Sequence, residues 1–495
     1  MNAGQVLAGV SLKSPLSPDV ASLNVGGLAY DSRQVGAAYL FFAFPGARAD
    51  GRAFAQAAVD RGAVAVVSEL DRPAEFAPSV PWIQVEHGRR ALATAGRNFY
   101  HEPDEKLAVT AVTGTNGKTT TTYLIDSILR AAGNTTAMLG TIEYHLAGKV
   151  LPAVNTTPES LDTFRIFDEA LSLGGTHATM EVSSHALALG RVFGLRVHTA
   201  VFTNLTRDHL DFHETMENYF RAKCLLFESN GGRPPLFAII NRDDDYGKLI
   251  KPAAETQSWW YGLGPDASLR ARHIDSSFKG LKFDIQAGKQ RIDIHSPLIG
   301  KINVYNILAA VGAGLSYDLA PDIISRGIAQ CTGIPGRFER VDQGQPFAVV
   351  VDYSHTDDAL RNALTVARGL GPKRILTVFG CGGDRDRSKR PLMGKAAGEL
   401  SDIVYLTSDN PRSEDPLQIM NDAAVGLQRT ESKHVFEPDR AVAIRRAIEE
   451  ARAGDFVLLA GKGHETYQIF KDRTIHFDDR EVARSVLKEF GYPKA

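Results

Sequence analysis

Cysteine is scarce: Cys224, Cys331 and Cys381 are the only three in 495 residues, far apart and without the spacing of paired ligands. A disulfide framework and a cysteine-based zinc site are therefore excluded, and a reducing cytoplasm is the expected compartment. Long apolar runs are missing too. None reaches the roughly 18 residues that span a bilayer, and Met1 to Ser14 has no charge ahead of its weak apolar stretch, so neither membrane insertion nor export is expected. Nor is there an excess of one charge. A formal net charge of -2 gives no electrostatic footprint for nucleic acid. Internal repeats and low-complexity tracts are absent. What remains, 43% hydrophobic and 23% charged residues, describes a globular chain. It is too long for one core, and a prior of about 150 residues per domain gives roughly three domains, expected as a monomer.

The patterning divides accordingly. Residues 26 to 100 alternate short apolar segments (Tyr39 to Ala43, Ala63 to Val67) with Gly-rich turns and a helical stretch from Gly88 to Tyr100. At Leu107 to Val112 an apolar strand begins, followed by a glycine turn and a helix with apolar positions from Tyr123 to Leu129. Ala178 to Val182 and Thr199 to Phe202 read as further strands of a parallel sheet covered on both faces. Past a turn-rich hinge, Gly333-Ile334-Pro335-Gly336, strands recur at Ala348 to Val351, Ile375 to Phe379, Ile403 to Leu406 and Phe456 to Ala460. The expectation is an α/β protein in three parts. These are a small α/β domain over 1–103, a central P-loop parallel-sheet domain over 104–332, and a doubly wound, Rossmann-like domain over 333–495.

The strongest local signal is Gly114-Thr115-Asn116-Gly117-Lys118-Thr119-Thr120, between a predicted strand and a predicted helix. Glycines let backbone N–H groups approach phosphate oxygens, and the helix presents its positive end. Lys118 suits the β- and γ-phosphates and the Thr119 hydroxyl suits Mg²⁺. The general pattern G-x-x-x-x-G-K-[ST] is not met, because Val112 stands at the first glycine. A chance lysine after a glycine turn is the alternative, which the flanking strand and helix argue against. Glu181, at a predicted strand end, is a second candidate Mg²⁺ ligand, or else a carboxylate capping the adjacent turn.

The shortened loop resembles that of the Mur ligase family, which includes the folylpolyglutamate synthases. Asn155-Thr156-Thr157-Pro158, Glu181-Val182-Ser183-Ser184-His185, Asn204 to Asp211, Gly333 to Glu339 and Val351-Asp352-Tyr353-Ser354-His355 follow in that family's order, across nearly the whole chain. The resemblance implies an ATP-dependent ligase that makes an amide through an acyl phosphate. It implies Mg²⁺ held by Thr119, Glu181 and His209, with Lys223 carbamylated by CO₂ as a further ligand, although Lys223 read alone is a solvated helix lysine. Lys118, Lys223, Glu181 and His209 are thus the catalytic candidates. For ATP it adds Asn306, Arg337 and Asp352 to the loop, with Tyr353 and His355 nearby and the third domain swinging in. For the uridine diphosphate end of a UDP-N-acetylmuramoyl dipeptide it implies Ser32 with Ala47, Arg48 and Ala49. Asn155, Thr156, Thr157, Ser183, Leu189 and Arg191 would contact the rest, Leu189 replacing a glutamine usual in relatives.

Within the family the likeness is strongest to the member that adds a diamino acid. Gly380 to Arg387 and Asp409-Asn410-Pro411-Arg412 resemble its amino-acid site, with Arg385, Gly461 and Glu465 completing it. The acceptor is then expected to be meso-diaminopimelate. Its distal carboxylate matches a bidentate guanidinium, which lysine's tail would not use. A lysine-adding ligase and a folylpolyglutamate-synthase-like ligase are the alternatives.

Overall fold

A computed structural model describes residues 1–46, 49–76 and 79–492. The chain forms two compact units. One comprises Met1–Arg272, Ile285–Ile292 and Tyr305–Ile328; the other comprises His273–Asp284, Asp293–Val304 and Ala329–Ala495.

In the first unit, Gly27–Ala29, Tyr39–Phe42, Ala63–Ser68 and Trp82–Gln84 form a four-stranded parallel sheet in sequence order. Side chains alternate across it. Leu40, Phe42, Ala65 and Val67 pack with Ala91, Leu92 and Ala95 of the helix Gly88–Phe99, while Phe41, Ala43 and Val66 face Ala55 and Ala58. The same unit carries a larger sheet. Its parallel strands run in the order Gln257–Gly262, Phe237–Asn241, Thr199–Phe202, Ala108–Thr113, His177–Glu181 and Thr136–Leu139. An antiparallel pair, Glu143–Leu146 and Lys149–Pro152, extends it past the last of these.

Ala108–Thr113, the first of these strands in the chain, lies between Thr199–Phe202 and His177–Glu181. The chain moves outward from it in both directions, which makes its carboxyl end a topological switch point where parallel sheets place ligands. Val112 is a fully buried strand residue, paired with Glu181 on one side and Val201 on the other. That explains the departure from the general phosphate-loop pattern: the strand continues through the position of the usual first glycine, and the turn is shorter.

In the second unit, Glu339–Arg340, Ala348–Asp352, Phe456–Ala460, Ile375–Phe379, Ile403–Leu406 and Lys433–Phe436 form one sheet, parallel except at its first pair. Val350, Phe379, Leu406 and Leu458 face the helices Asp357–Gly369, Lys389–Leu400 and Pro416–Leu427. Val349, Val351, Tyr405 and Leu459 face Arg440–Glu450 and Asp479–Glu489. Helices on both faces make it doubly wound, so the α/β reading holds. Among the described residues no helix is long and apolar enough to cross a membrane.

Candidate active site

The turn after Ala108–Thr113 depends on two glycines. Gly114 has φ +147, and a Cβ there would overlap the Thr203 hydroxyl; Gly117 has φ +86, and a Cβ there would overlap Asn306 Oδ1. Both positions therefore exclude side chains. The strand-end segment Thr203 to Thr206 braces the turn: Thr115 N donates to the Asn204 carbonyl at 2.8 Å, Asn116 N to Asn204 Oδ1 at 3.0 Å, and the Thr203 hydroxyl to the Asn116 carbonyl at 2.7 Å. Lys118 opens the helix Lys118–Ala131 and donates to the carbonyls of Gly114 and Thr115 at 2.9 and 2.8 Å. Thr119 and Thr120 follow it, both buried, and Asn306 lies on the helix Ile302–Ser316 beside Gly117.

Lys223 is the least ordinary residue of this region. It sits on the helix Met216–Cys224 with 1% of its surface exposed, donates to the Gly114 carbonyl at 2.8 Å, and lies 4.7 Å from the centre of the Tyr219 ring. Burial, reinforced by the charge of Lys118, holds its ammonium well below the ordinary lysine range. The Tyr219 hydroxyl shares a hydrogen bond of 3.0 Å with Thr115, tying this helix to the turn. His209 precedes the helix Leu210–His213 at φ +53, and its ring is 4.9 Å from that of His185 and 6.0 Å from that of Tyr219. Burial lowers the pKa of His209, so its imidazole is biased to the neutral form that has a lone pair to offer.

Glu181 ends its strand with 1% exposure. Its two carboxylate oxygens accept from Thr141 N at 2.8 Å and the Thr141 hydroxyl at 3.0 Å, so it reaches across to a neighbouring strand end rather than capping its own turn. Thr141 continues to Thr156 at 3.1 Å, and Thr157 donates to the Glu181 carbonyl at 2.9 Å while accepting from Ser183 N at 3.0 Å. The Asn155 carbonyl accepts from the Tyr144 hydroxyl at 2.6 Å. Arg191 does not stand alone: its Nε is 3.0 Å from Glu159 Oε1 and its Nη1 donates to the Thr157 carbonyl at 3.2 Å. Arg89 lies 3.4 Å from the same Glu159 oxygen, so two guanidiniums share one buried carboxylate. Leu189 caps the helix Ser184–Ala188 and is half-buried. Ser32 begins a short turn at the carboxyl end of Gly27–Ala29, and Ala49 closes a turn by accepting from Gly46 N at 2.9 Å. Ala47 and Arg48 lie outside the described residues.

The second unit holds the remaining candidates. Arg337 lies 4.8 Å from the centre of the Tyr353 ring, and Asp352 ends its strand accepting from Phe338 N at 2.7 Å and from the Ser354 hydroxyl. Burial raises the Asp352 pKa, with the Ser354 bond and the Arg337 charge opposing the rise. Arg412 has φ +53, donates its backbone N–H to the Ile469 carbonyl at 3.0 Å, and sends Nη1 to the Gly383 carbonyl at 2.7 Å. Among the described residues this is the one hydrogen bond that its guanidinium, with five N–H donors, makes. Asp409, Asn410 and Pro411 before it are buried, and Asn410 Nδ2 donates to Glu465 Oε2 at 2.8 Å. Gly461 follows the strand Phe456–Ala460 and lies against Asp409. Arg385 is exposed, with a long 3.4 Å contact to the Asp384 carbonyl, and is not drawn into this network. Tyr219, Thr203, Glu159 and Lys462 carry no functional signal in the sequence, because the partners that tie them into the site, Thr115, Asn116, Arg89 and the Asp409–Asn410 pair, lie far off in the chain.

A glycine turn braced at the carboxyl edge of a parallel sheet, with two lysines on one carbonyl, defines a nucleotide-phosphate-using α/β enzyme. Residues 24–100 match the Mur ligase family catalytic domain, 112–314 the Mur ligase middle domain, and 336–463 the Mur ligase glutamate ligase domain. The chain is 68% identical over 492 residues to a UDP-N-acetylmuramoyl-L-alanyl-D-glutamate--2,6-diaminopimelate ligase of Solibacter usitatus, covering 99% of each. It is 46% identical to the ligase of the same name from Geobacillus thermodenitrificans, covering 96% of each. A solved structure of a ligase of this name superposes with a TM-score of 0.71 at 32% identity, covering 99% of both chains. A Mycobacterium tuberculosis folylpolyglutamate synthase shares the fold, with a TM-score of 0.61 at 17% identity over 75% of this chain and 92% of its own. The chain belongs to the Mur ligase family and is an ATP-dependent ligase that forms amide bonds.

Proposed function

We infer that this ligase adds meso-diaminopimelate to the D-glutamate γ-carboxylate of UDP-N-acetylmuramoyl-L-alanyl-D-glutamate, in peptidoglycan precursor synthesis. The γ-carboxylate oxygen attacks the γ-phosphorus of ATP, the bond to the β-bridging oxygen breaks, and ADP leaves. The acceptor amine then attacks the acyl carbon, the carbon–oxygen bond to phosphate breaks, and the amine loses a proton as the amide forms. Charge management dominates both steps. Lys118 and the N–H groups of Gly114 to Thr120 serve the phosphates, with Asn306 at the base. Arg337 and Asp352 are the second unit's candidates for ATP. The muramoyl dipeptide falls to Asn155, Thr156, Thr157, Ser183, Leu189 and Arg191, and the uridine diphosphate to Ser32 and the Ala47 to Ala49 segment.

The donors suit Mg²⁺, a hard cation that binds few protein oxygens and keeps water or phosphate ligands. Thr119 and Glu181 supply oxygens, and the Glu181 carboxylate has lone pairs beyond its two bonds to Thr141. Lys223 fits only after conversion: as an ammonium it would repel a cation, whereas as a carbamate it would help hold a second ion with His209. When bound, the metal neutralises phosphate charge. The chain then has three domains, 1–103, 104–332 and 333–495, a division that the three successive family matches support. The reaction is assigned to the cytoplasm, which agrees with three free cysteines.

The choice of diaminopimelate over lysine is carried by Arg412, whose guanidinium is fixed by its own backbone and by Gly383. The test is phosphate release from ATP, Mg²⁺ and the muramoyl dipeptide, with diaminopimelate or lysine offered separately. Faster turnover with diaminopimelate is expected; faster turnover with lysine would reverse the assignment.

A further inference from the structure

Lys462 is wholly buried, with 0% of its surface exposed, yet it belongs to no apolar core. Its ammonium donates to Asn410 Oδ1 at 3.2 Å and lies 3.4 Å from Glu465 Oε2 and 3.5 Å from Asp409 Oδ1. The neighbouring bonds run through the same residues. Asn410 Nδ2 donates to Glu465 Oε2, Asn410 Oδ1 also accepts from Ile469 N at 3.0 Å, and Gln468 Nε2 donates to the Asp409 carbonyl at 2.7 Å. Ile469 in turn accepts from the Arg412 backbone N–H. The buried Lys462 ammonium therefore stands where the segment Asp409 to Arg412 meets the segment Gly461 to Ile469.

Its charge has a chemical consequence. Asp409 and Glu465 bring two negative charges and Lys462 offsets one; the buried Arg440, whose charge also acts on both carboxylates, is itself paired with Asp479 at 2.6 Å, so the group is left a single unit negative beside the positive Arg412. The distal centre of a diamino diacid carries one ammonium and one carboxylate, which balances that arrangement. Without Lys462 the pocket would be more negative by one charge. It would then favour a tail with an ammonium and no carboxylate, and Asn410 and Glu465 would lose their shared cationic partner and keep only their direct bond.

We propose that Lys462 is a positioning and specificity-determining residue of the acceptor site, fixing Asn410 and Glu465 and setting the pocket charge so that a zwitterionic distal centre is taken over a purely cationic one. This rests on the acceptor-site reading above. The experiment uses the full chain with Lys462→Met and Lys462→Gln, the second keeping a hydrogen-bonding group without the charge. Steady-state constants are measured for diaminopimelate, lysine and ATP. The expected result is a diaminopimelate KM raised about tenfold and a ratio of kcat/KM for diaminopimelate over lysine lowered by about as much, with ATP KM nearly unchanged. Adding Glu465→Gln to Lys462→Met should cost less than the sum of the two single effects, because one residue acts through the other. Unchanged diaminopimelate KM and selectivity would overturn the proposal. So would equal losses for ATP and acceptor, or loss of folding in both variants, since either would make Lys462 purely structural. Arg412→Ala separates the two levels: if it leaves diaminopimelate KM unchanged, the acceptor-site reading itself fails. If it raises that KM while the Lys462 variants do not, only the present inference fails.

Discussion

Lys118 and Lys223 direct their ammonium groups to a single acceptor, the Gly114 carbonyl, at 2.9 and 2.8 Å. Two full cations on one oxygen oppose each other, and the conflict is eased if the buried one gives up its proton. Lys223 is that one, its pKa lowered first by burial and then by Lys118. A neutral amine adds to CO₂, forming a nitrogen–carbon bond and releasing a proton, and the resulting carbamate N–H still has the Gly114 carbonyl to meet. Lys223→Ala should abolish most activity, and short carboxylic acids should restore part of it by supplying the missing carboxylate. Mass spectrometry under CO₂ checks the adduct directly. Activity unchanged in Lys223→Ala would remove the residue from the mechanism.

Arg412→Ala should weaken diaminopimelate use by about 1.5–3 kcal/mol, the range for a hydrogen bond to a charged group. ATP KM should hardly move. Measuring both constants on the same preparation decides it, since equal damage to the two would mean that Arg412 supports the unit rather than the acceptor.

Gly117→Ala should impair nucleotide binding. The new Cβ would overlap Asn306 Oδ1, in a backbone conformation at φ +86, and holding a non-glycine residue there costs of order 1–3 kcal/mol. ATP affinity from calorimetry should fall with little change in far-ultraviolet circular dichroism; wild-type affinity would show that the turn relaxes without consequence.

Just before the strand Thr199–Phe202, at the end away from the phosphate turn, His198 stacks on Tyr317 at 4.3 Å, and burial pushes its pKa down to about 4 from an ordinary value near 6.5. The folded state thus binds the proton less readily than the unfolded chain. Its contribution to stability is present above the unfolded value and is lost as pH falls through the window between the two. The melting temperature should drop on acidification from neutral pH toward about 4, and His198→Phe should flatten part of that slope. An unaltered slope would assign the acid sensitivity to other groups.

Much of this architecture is legible in the sequence, and the reasons differ by element. Thr199–Phe202, Ile375–Phe379, Ile403–Leu406 and Phe456–Ala460 are apolar runs bounded by polar turns, and they form strands over the expected spans. Lys433–Phe436 is a partly exposed edge strand without such a run, so nothing local marks it. The phosphate turn is readable because its two glycines, its lysine and its threonines stand together within seven residues, between a strand and a helix that each show their own pattern. Lys462 and Glu159 are not readable in that way. Each looks like a surface charge until the fold brings its partners from distant segments, and only the burial of the charge shows that it is tied into a network.

The most direct test follows the activated carboxylate. If the γ-carboxylate oxygens of the D-glutamate residue carry a heavy oxygen isotope, attack on ATP followed by displacement of phosphate must transfer one labelled oxygen to each inorganic phosphate released. Mass analysis of that phosphate is predicted to show the label in step with amide formation. Amide formed with unlabelled phosphate would contradict the acyl-phosphate route and, with it, the assignment of the Gly114 to Thr120 turn to carboxylate activation.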